Sequence, residues 1–285
     1  MGLFEATLEA AIAAGEKVRE AEADGQGYIG PDGLLMCGRC GERRQMVLDI
    51  PLIGTKTVPV MCRCEAARRE AEQRRLQFIE EQTRIQEMRR IGITSSDYAE
   101  MTFASDDGSN PELSNLARQY VEKRAEMIKE NMGLLLHGST GGGKTFLAAS
   151  IVNAMIDNGT SAMITTIPQL ITAMQRDFER DKPRLLEQIA RVRVLVLDDI
   201  GFERQTGYTA EKVFEIIDTR YRARRPLIVT TNLSLQELTS PEQMEYKRVY
   251  ERIIEMTQPV YVSAEDRRMA IAKKKSVRFR EIMGM

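Results

Sequence analysis

The sequence predicts an α/β fold built on a five-stranded parallel sheet, and three observations carry that prediction. Residues Gly138-Ser139-Thr140-Gly141-Gly142-Gly143-Lys144-Thr145 fit Gly-x-x-x-x-Gly-Lys-[Ser/Thr] and directly follow the apolar run Gly133-Leu134-Leu135-Leu136-His137. A second apolar run, Val194-Leu195-Val196-Leu197, ends in the paired acids Asp198-Asp199. From about residue 112 helical and strand patterns alternate, as they do where helices cover a parallel sheet.

The first motif is a P-loop, and its residue types follow from what a phosphate needs. Glycines let successive backbone N–H groups turn inward, Lys144 reaches the β- and γ-phosphates, and the Thr145 hydroxyl binds Mg²⁺. The helix that follows adds its positive N-terminus. The paired acids stand at the carboxyl end of a strand, where open α/β sheets place their ligands. There Asp198 would hold Mg²⁺ through its water shell, and Asp199 would orient or deprotonate an attacking water. Alone, the one could be a Gly-rich turn and the other a strand ending in solvated acids; together they argue for a nucleotide site. Asn232 follows the strand Leu227–Thr231, where it either hydrogen-bonds a γ-phosphate or merely ends the strand. Arg248 and Arg252 lie i,i+4 on one predicted helix. One of them could reach the phosphates of a neighbouring subunit, unless both belong to a solvated face.

Taken in order, residues 3–22 carry Phe4, Leu8, Ile12 and Val18 among Ala and Glu, an amphipathic helix with a thin apolar stripe. Gly25-Gln26-Gly27 and Pro31-Asp32-Gly33 break it. Met46–Ile50 and Thr57–Met61 flank Gly54-Thr55-Lys56, a hairpin pattern that returns to Cys62-Arg63-Cys64. All 4 cysteines of the chain, Cys37, Cys40, Cys62 and Cys64, fall in this segment. Four thiolates so confined suit tetrahedral Zn²⁺ in a small zinc ribbon; a Cys-x-x-Cys redox motif or simply buried cysteines are the alternatives. Glu65 to about Arg90 is dense in Glu, Arg, Gln and Ala, which predicts a long, mostly exposed helix: a solvated linker, or a surface that gains its apolar partner on binding. Beyond the P-loop the pattern predicts helices at Lys144–Asn158, 168–190, Ala210–Arg222 and Met244–Glu255. It predicts strands at Ala162–Thr166, Leu227–Thr231 and Pro259–Val262, and a basic C-terminal helix. Little length is left for a lid. His137, between strand and loop, reads as a packed residue.

With 285 residues the chain can hold one sizeable core and a smaller module. The expected division is 1–95, a helical and zinc-ribbon domain with its linker helix, and 96–285, the nucleotide-binding domain. A formal net charge of −1 excludes a global cationic field, so contact with nucleic acid must come from a local patch. Arg267-Arg268, Lys273-Lys274-Lys275, Arg278 and Arg280 supply one, which is either a solvated face or a phosphate- and DNA-contacting tail. No apolar stretch reaches membrane-spanning length, and Glu5 and Glu9 stand where a signal peptide would be basic, so a soluble, cytoplasmic protein is expected.

The cysteine module, the P-loop Leu-Leu-Leu-His-Gly-Ser-Thr-Gly-Gly-Gly-Lys-Thr-Phe-Leu-Ala, the element Leu-Asp-Asp-Ile-Gly and the segment Thr-Thr-Asn-Leu together resemble the DnaC/DnaI-type helicase loaders, AAA+ ATPases often carried by phages and mobile elements. The resemblance is strong over 130–270 and looser over 1–95. It implies a P-loop AAA+ core with a reduced or absent lid, ATP as ligand, Asn232 as the sensor-1 residue, Arg252 as an arginine finger and Arg268 as the sensor-2 arginine. It further implies a hexameric DnaB-type replicative helicase as partner, single-stranded DNA, self-association up to a hexamer on the helicase, and action in the cytoplasm, the host's if the chain is phage-encoded. Near Arg268 the family pattern reads Ser-Tyr-Arg where this chain has Asp-Arg-Arg, and at Asp199 many AAA+ proteins carry Glu. The shorter carboxylate suits slow, switch-like hydrolysis. An IstB-like ATPase that assists a transposase, and a zinc-bearing adaptor whose ATP site only stabilises the fold, are the other readings.

Overall fold

The structure, a computed structural model, describes residues 27–51, 53–176, 181–202, 206–241, 243–263, 275–280 and 282–283. The helix expected over 3–22 and the positions Arg267, Arg268, Lys273 and Lys274 lie outside these residues. The chain divides into two compact units, Met1–Glu81 and Gln82–Met285.

In the first unit β1 (Gly27–Ile29) pairs antiparallel with β2 (Leu35–Cys37), and β3 (Gln45–Ile50) pairs antiparallel with β4 (Gly54–Pro59). The second pair is a hairpin as expected, but it closes between Ile50 and Gly54, so Gly54-Thr55-Lys56, expected as the turn, instead pairs within β4. α1 (Arg63–Gly92) follows, with the unit boundary inside it. Its Glu, Arg, Gln and Ala are strong helix formers. Its first part has no apolar stripe, so Leu76, Phe78 and Ile79 stay exposed. Beyond the boundary, Ile85 and Met88 pack against the core of the second unit.

The second unit opens with α2 (Ser96–Glu100), α3 (Pro111–Glu122) and α4 (Arg124–Lys129). Asn110 begins α3 in the expected way: its Oδ1 accepts the Leu113 N–H at 3.3 Å, and Pro111 takes the first helical position, where a missing N–H costs nothing. The remaining elements alternate: β5 (Gly133–His137), α5 (Lys144–Asp157), β6 (Ala162–Thr166), α6 (Ile167–Arg176), α7 (Asp181–Arg191), β7 (Val194–Ile200), α8 (Gly207–Arg222), β8 (Leu227–Thr231), α9 (Leu235–Thr239), α10 (Met244–Met256) and β9 (Thr257–Tyr261). The strands form one parallel sheet of five in the order β6-β7-β8-β5-β9. After β9, residues 275–280 and 282–283 are helical, in the region where the basic C-terminal helix is expected.

A parallel sheet is covered on both faces, so its central strands begin as near-continuous apolar runs. Leu135, Leu195, Leu197, Leu227 and Val229 point to one face, packed under α6, α7, α8 and α10. Leu134, Leu136, Val194, Val196 and Ile228 point to the other, under α3 and α5. Arg220, fully buried on α8, locks the strand entries: its guanidinium donates to the carbonyls of Ile189, Val192, Arg193 and Pro226 at 2.6–3.2 Å. Register then sets the other end of the sheet. Thr231 is paired with His137 on one side and Ile200 on the other, so the residues that follow β5, β7 and β8 emerge side by side.

Candidate functional site

The P-loop runs from β5 into α5. Gly138 has φ 137°, and a Cβ there would stand 2.3 Å from the Val262 carbonyl oxygen; Gly143, at φ 92°, begins α5 from the left-handed region. Both positions require glycine. Lys144, 7% exposed, donates from Nζ to the carbonyls of Gly138 (2.8 Å) and Ser139 (2.7 Å) and to Asn232 Oδ1 (2.8 Å). Loop and lysine are thus held in one arrangement by the loop's own backbone.

β7 extends past the expected Leu197 to Ile200 and carries both acids within it. The register breaks between Leu197 and Ile200, and Asp199 sits at φ 58°, a conformation few non-glycine residues adopt. The bulge turns the two carboxylates to different tasks. Asp198, 6% exposed, faces α5: its Oδ1 accepts the Thr145 hydroxyl at 3.0 Å and the Thr230 hydroxyl at 2.6 Å. Asp199 is held by its own N–H, which donates to Thr230 Oγ1 at 2.8 Å, and its Oδ1 accepts Asn232 Nδ2 at 3.1 Å. Thr230 is one residue that sequence reasoning missed. Its signal was present, since period two on β8 puts it on the same face as Asn232.

Sheet order explains why Asn232 joins the two motifs. β8 lies between β5 and β7, so its last residues fall between the P-loop and the acids. One side chain therefore bridges Lys144 and Asp199. Thr140, Gly141, Gly143, Lys144, Thr145, Asp198, Asp199 and Asn232 line one cavity of ≈ 640 Å³, within the size range of small-molecule sites. Its donor set of hydroxyl and carboxylate oxygens beside an ammonium fits a hard divalent cation carrying a polyphosphate. His137 is buried and its ring lies 5.5 Å from that of Tyr261; burial, and then the charge of Lys144, lowers its proton affinity.

Arg252 stands apart from that cavity. Its guanidinium pairs with Asp218 and lies over the rings of Phe214 (4.5 Å) and Tyr221 (5.2 Å). Arg248, on the same helix, lines a groove with Phe214 and Met244.

In the first unit the four cysteine sulfurs lie within 4.8 Å of one another. A tetrahedral site with Zn–S of about 2.3 Å has its sulfurs about 3.8 Å apart, so the cluster has the required size. Cys37 and Cys40 flank the turn after β2, whereas Cys64 stands in the first turn of α1 rather than in a second sheet turn. The backbone N–H groups of Cys40 and then Arg39 bring the Cys37 thiol down to about 6. The sulfurs of Cys62 and then Cys37 push Cys64 up to about 12. Four thiolates so close together need a cation to ionise together.

The sequence model for IstB-like ATP binding proteins matches residues 62–274. The chain belongs to that family. Over 126 residues it is 32% identical to the replicative helicase loader DnaC of Escherichia coli strain K12, an alignment that covers 43% of this chain and 50% of the relative. Over 205 residues it is 27% identical to the replicative helicase loader DnaI of Bacillus subtilis strain 168, covering 67% of this chain and 65% of that one. The chain thus spans about half the length of the first relative and less than two thirds of the second. A crystal structure of the DnaC helicase loader matches with a TM-score of 0.52 and 26% identity, over 59% of this chain and all of the solved one. That likeness covers the α/β fold with its five-stranded sheet. Among the described residues no helix is long and apolar enough to cross a membrane.

Proposed function

We propose that this protein is an ATP-dependent loader that grips a hexameric DnaB-type replicative helicase and assists its placement on single-stranded DNA in the cytoplasm. The carrying observation is the Asn232 bridge between Lys144 and Asp199, which supports a site that would detect the γ-phosphate as well as bind it. The client is argued from the sequence likeness to two replicative helicase loaders.

In this reading Gly138, Ser139, Thr140, Gly141, Gly142 and Gly143 wrap the phosphates, and Lys144 sits on the β- and γ-oxygens. Thr145 and Asp198 would hold Mg²⁺, which when bound neutralises phosphate charge. Asp199 orients the attacking water, and Asn232 exchanges its bond to Lys144 for one to the γ-phosphate. Arg268 binds phosphate in the same subunit. Arg252 acts as an arginine finger by exchanging Asp218 for the phosphate of a neighbouring subunit, which makes turnover depend on self-association. The carboxylate of Asp199, shorter than the Glu of many AAA+ proteins, favours slow, switch-like hydrolysis. Residues 1–95 grip the helicase, with Zn²⁺ held by Cys37, Cys40, Cys62 and Cys64 as the staple of that module, and residues 96–285 read ATP and DNA.

The family match also favours a second reading, a helper ATPase for a transposase. Capture of partners from the native cell separates the two. Recovery of the replicative helicase supports the loader, and recovery of a transposase without helicase overturns it.

A further inference from the structure

We propose that Tyr98 is a positioning residue for the magnesium-binding carboxylate of Asp198, and that a hydrogen-bonded clamp from the end of α1 and from α5 holds it there. The inference rests on the nucleotide-site reading above and deepens it.

Tyr98 lies on α2, a helix of one turn that Ser95 caps by accepting the Asp97 N–H at 3.3 Å. The ring is 8% exposed and packs with Ile164, Val196 and the residues of α5 in one core cluster. Its hydroxyl leaves that core and donates to Asp198 Oδ2 at 3.0 Å. A phenylalanine would fill the same volume without burying a hydroxyl, so packing alone does not explain this contact.

The count of bonds at Asp198 gives the contact its task. An ionised carboxylate offers about four lone-pair sites. Thr145 and Thr230 take Oδ1, and Tyr98 takes one site on Oδ2. One site is left, which is what a carboxylate that reaches a cation through its water shell needs. The Thr145 hydroxyl can donate its proton to Asp198 and still present its oxygen to the cation. Without Tyr98, Oδ2 loses its donor, and the terminal torsion of an aspartate is a soft one.

Tyr98 is itself clamped. Asn153 on α5, 2% exposed, donates from Nδ2 to the carbonyls of Tyr98 (2.7 Å) and Met101 (2.9 Å). Its Oδ1 accepts Arg89 Nη1 at 2.7 Å, and Arg89 also pairs with Asp157. The sequence of bonds therefore runs from Arg89 through Asn153 and the main chain of α2 to the hydroxyl on Asp198.

The test is binding of a fluorescent ATP analogue to the full chain, titrated with Mg²⁺ and repeated in excess chelator. Tyr98→Phe should raise the half-saturating Mg²⁺ concentration about 3- to 10-fold, the range for losing one hydrogen bond of ordinary net strength, with unchanged metal-free affinity. Asn153→Ala, which leaves the hydroxyl in place but frees its main chain, should shift the curve the same way by less. In an Asp198→Asn background Tyr98→Phe should add nothing. An equal loss of binding with and without Mg²⁺ would mark Tyr98 as merely structural and overturn the proposal. So would an unshifted Mg²⁺ curve for both variants while Asp198→Asn shifts it. If Asp198→Asn itself leaves the curve unmoved, it is the magnesium reading of the site that fails.

Discussion

Removing the Asn232 side chain separates reading the nucleotide from holding it. Asn232→Ala deletes a bond from the Lys144 ammonium (2.8 Å) and one to the Asp199 carboxylate (3.1 Å). Asn232 is exposed and Lys144 keeps the carbonyls of Gly138 and Ser139, so water replaces what folding loses. Stability should change by less than about 0.5 kcal/mol, as for other surface substitutions. Turnover has no such substitute, because the amide must already point at the charge that develops on the transferred phosphoryl group. Loss of one preorganised donor of this kind costs about 10²–10³ in rate, some 2.7–4 kcal/mol. Nucleotide affinity measured with a fluorescent analogue should stay within about 3-fold, since the P-loop backbone and Lys144 remain. Single-turnover hydrolysis should fall about 100-fold. A variant that hydrolyses at the parental rate, or that loses binding in proportion to turnover, refutes the division of labour. Asn232→Asp sharpens the test: a second carboxylate beside Asp199 should weaken ATP binding as well.

Three further outcomes are expected. Lys144→Ala and Arg252→Ala chains should each be inactive, yet mixed oligomers should regain part of the turnover, because intact Lys144 sites can then face intact Arg252; mixtures that form and stay inactive would place Arg252 in its own subunit, with Asp218. Metal analysis should find one zinc per chain, absent from Cys64→Ser, and chelation should unfold residues 35–65 while nucleotide binding persists; a metal-free preparation with that segment still folded refutes this. Folding stability should fall in acid because of His137, the single histidine of the chain. Its folded proton affinity lies below the ordinary 6.5, so the unfolded chain binds the extra proton first. That contribution is complete above pH 6.5 and drains as pH falls through the window below it, and His137→Gln should flatten thermal midpoints there; an identical acid slope in the variant contradicts the assignment.

The sheet and the phosphate loop were legible because both are local. Strands buried on two faces must be continuous apolar runs, and Leu134–Leu136, Val194–Leu197 and Leu227–Val229 are such runs. The linker helix was legible from its helix-forming composition. β1 and β2 were not, since three residues each, Gly27–Ile29 and Leu35–Cys37, are too few to show a period. The run of β7 through Asp198 and Asp199 was hidden because acids in a strand read as its end. Tyr98 gave no signal at all: it stands among polar residues, 100 positions from its carboxylate, and only the fold brings them together. For Arg252, helical spacing showed the face it stands on but not that Asp218, Phe214 and Tyr221 already hold its guanidinium.

The account as a whole is tested most directly by reconstitution. The purified chain, the replicative helicase of its native cell and circular single-stranded DNA are mixed with ATP, and helicase left on the DNA is counted after the chain is washed away. Helicase retained on the circle with the parental chain, and lost with Lys144→Ala or with the 1–95 module chelated, is the predicted result. No complex with the helicase at any nucleotide state, while the same chain still binds and hydrolyses ATP, would contradict the loader reading and leave only the ATPase.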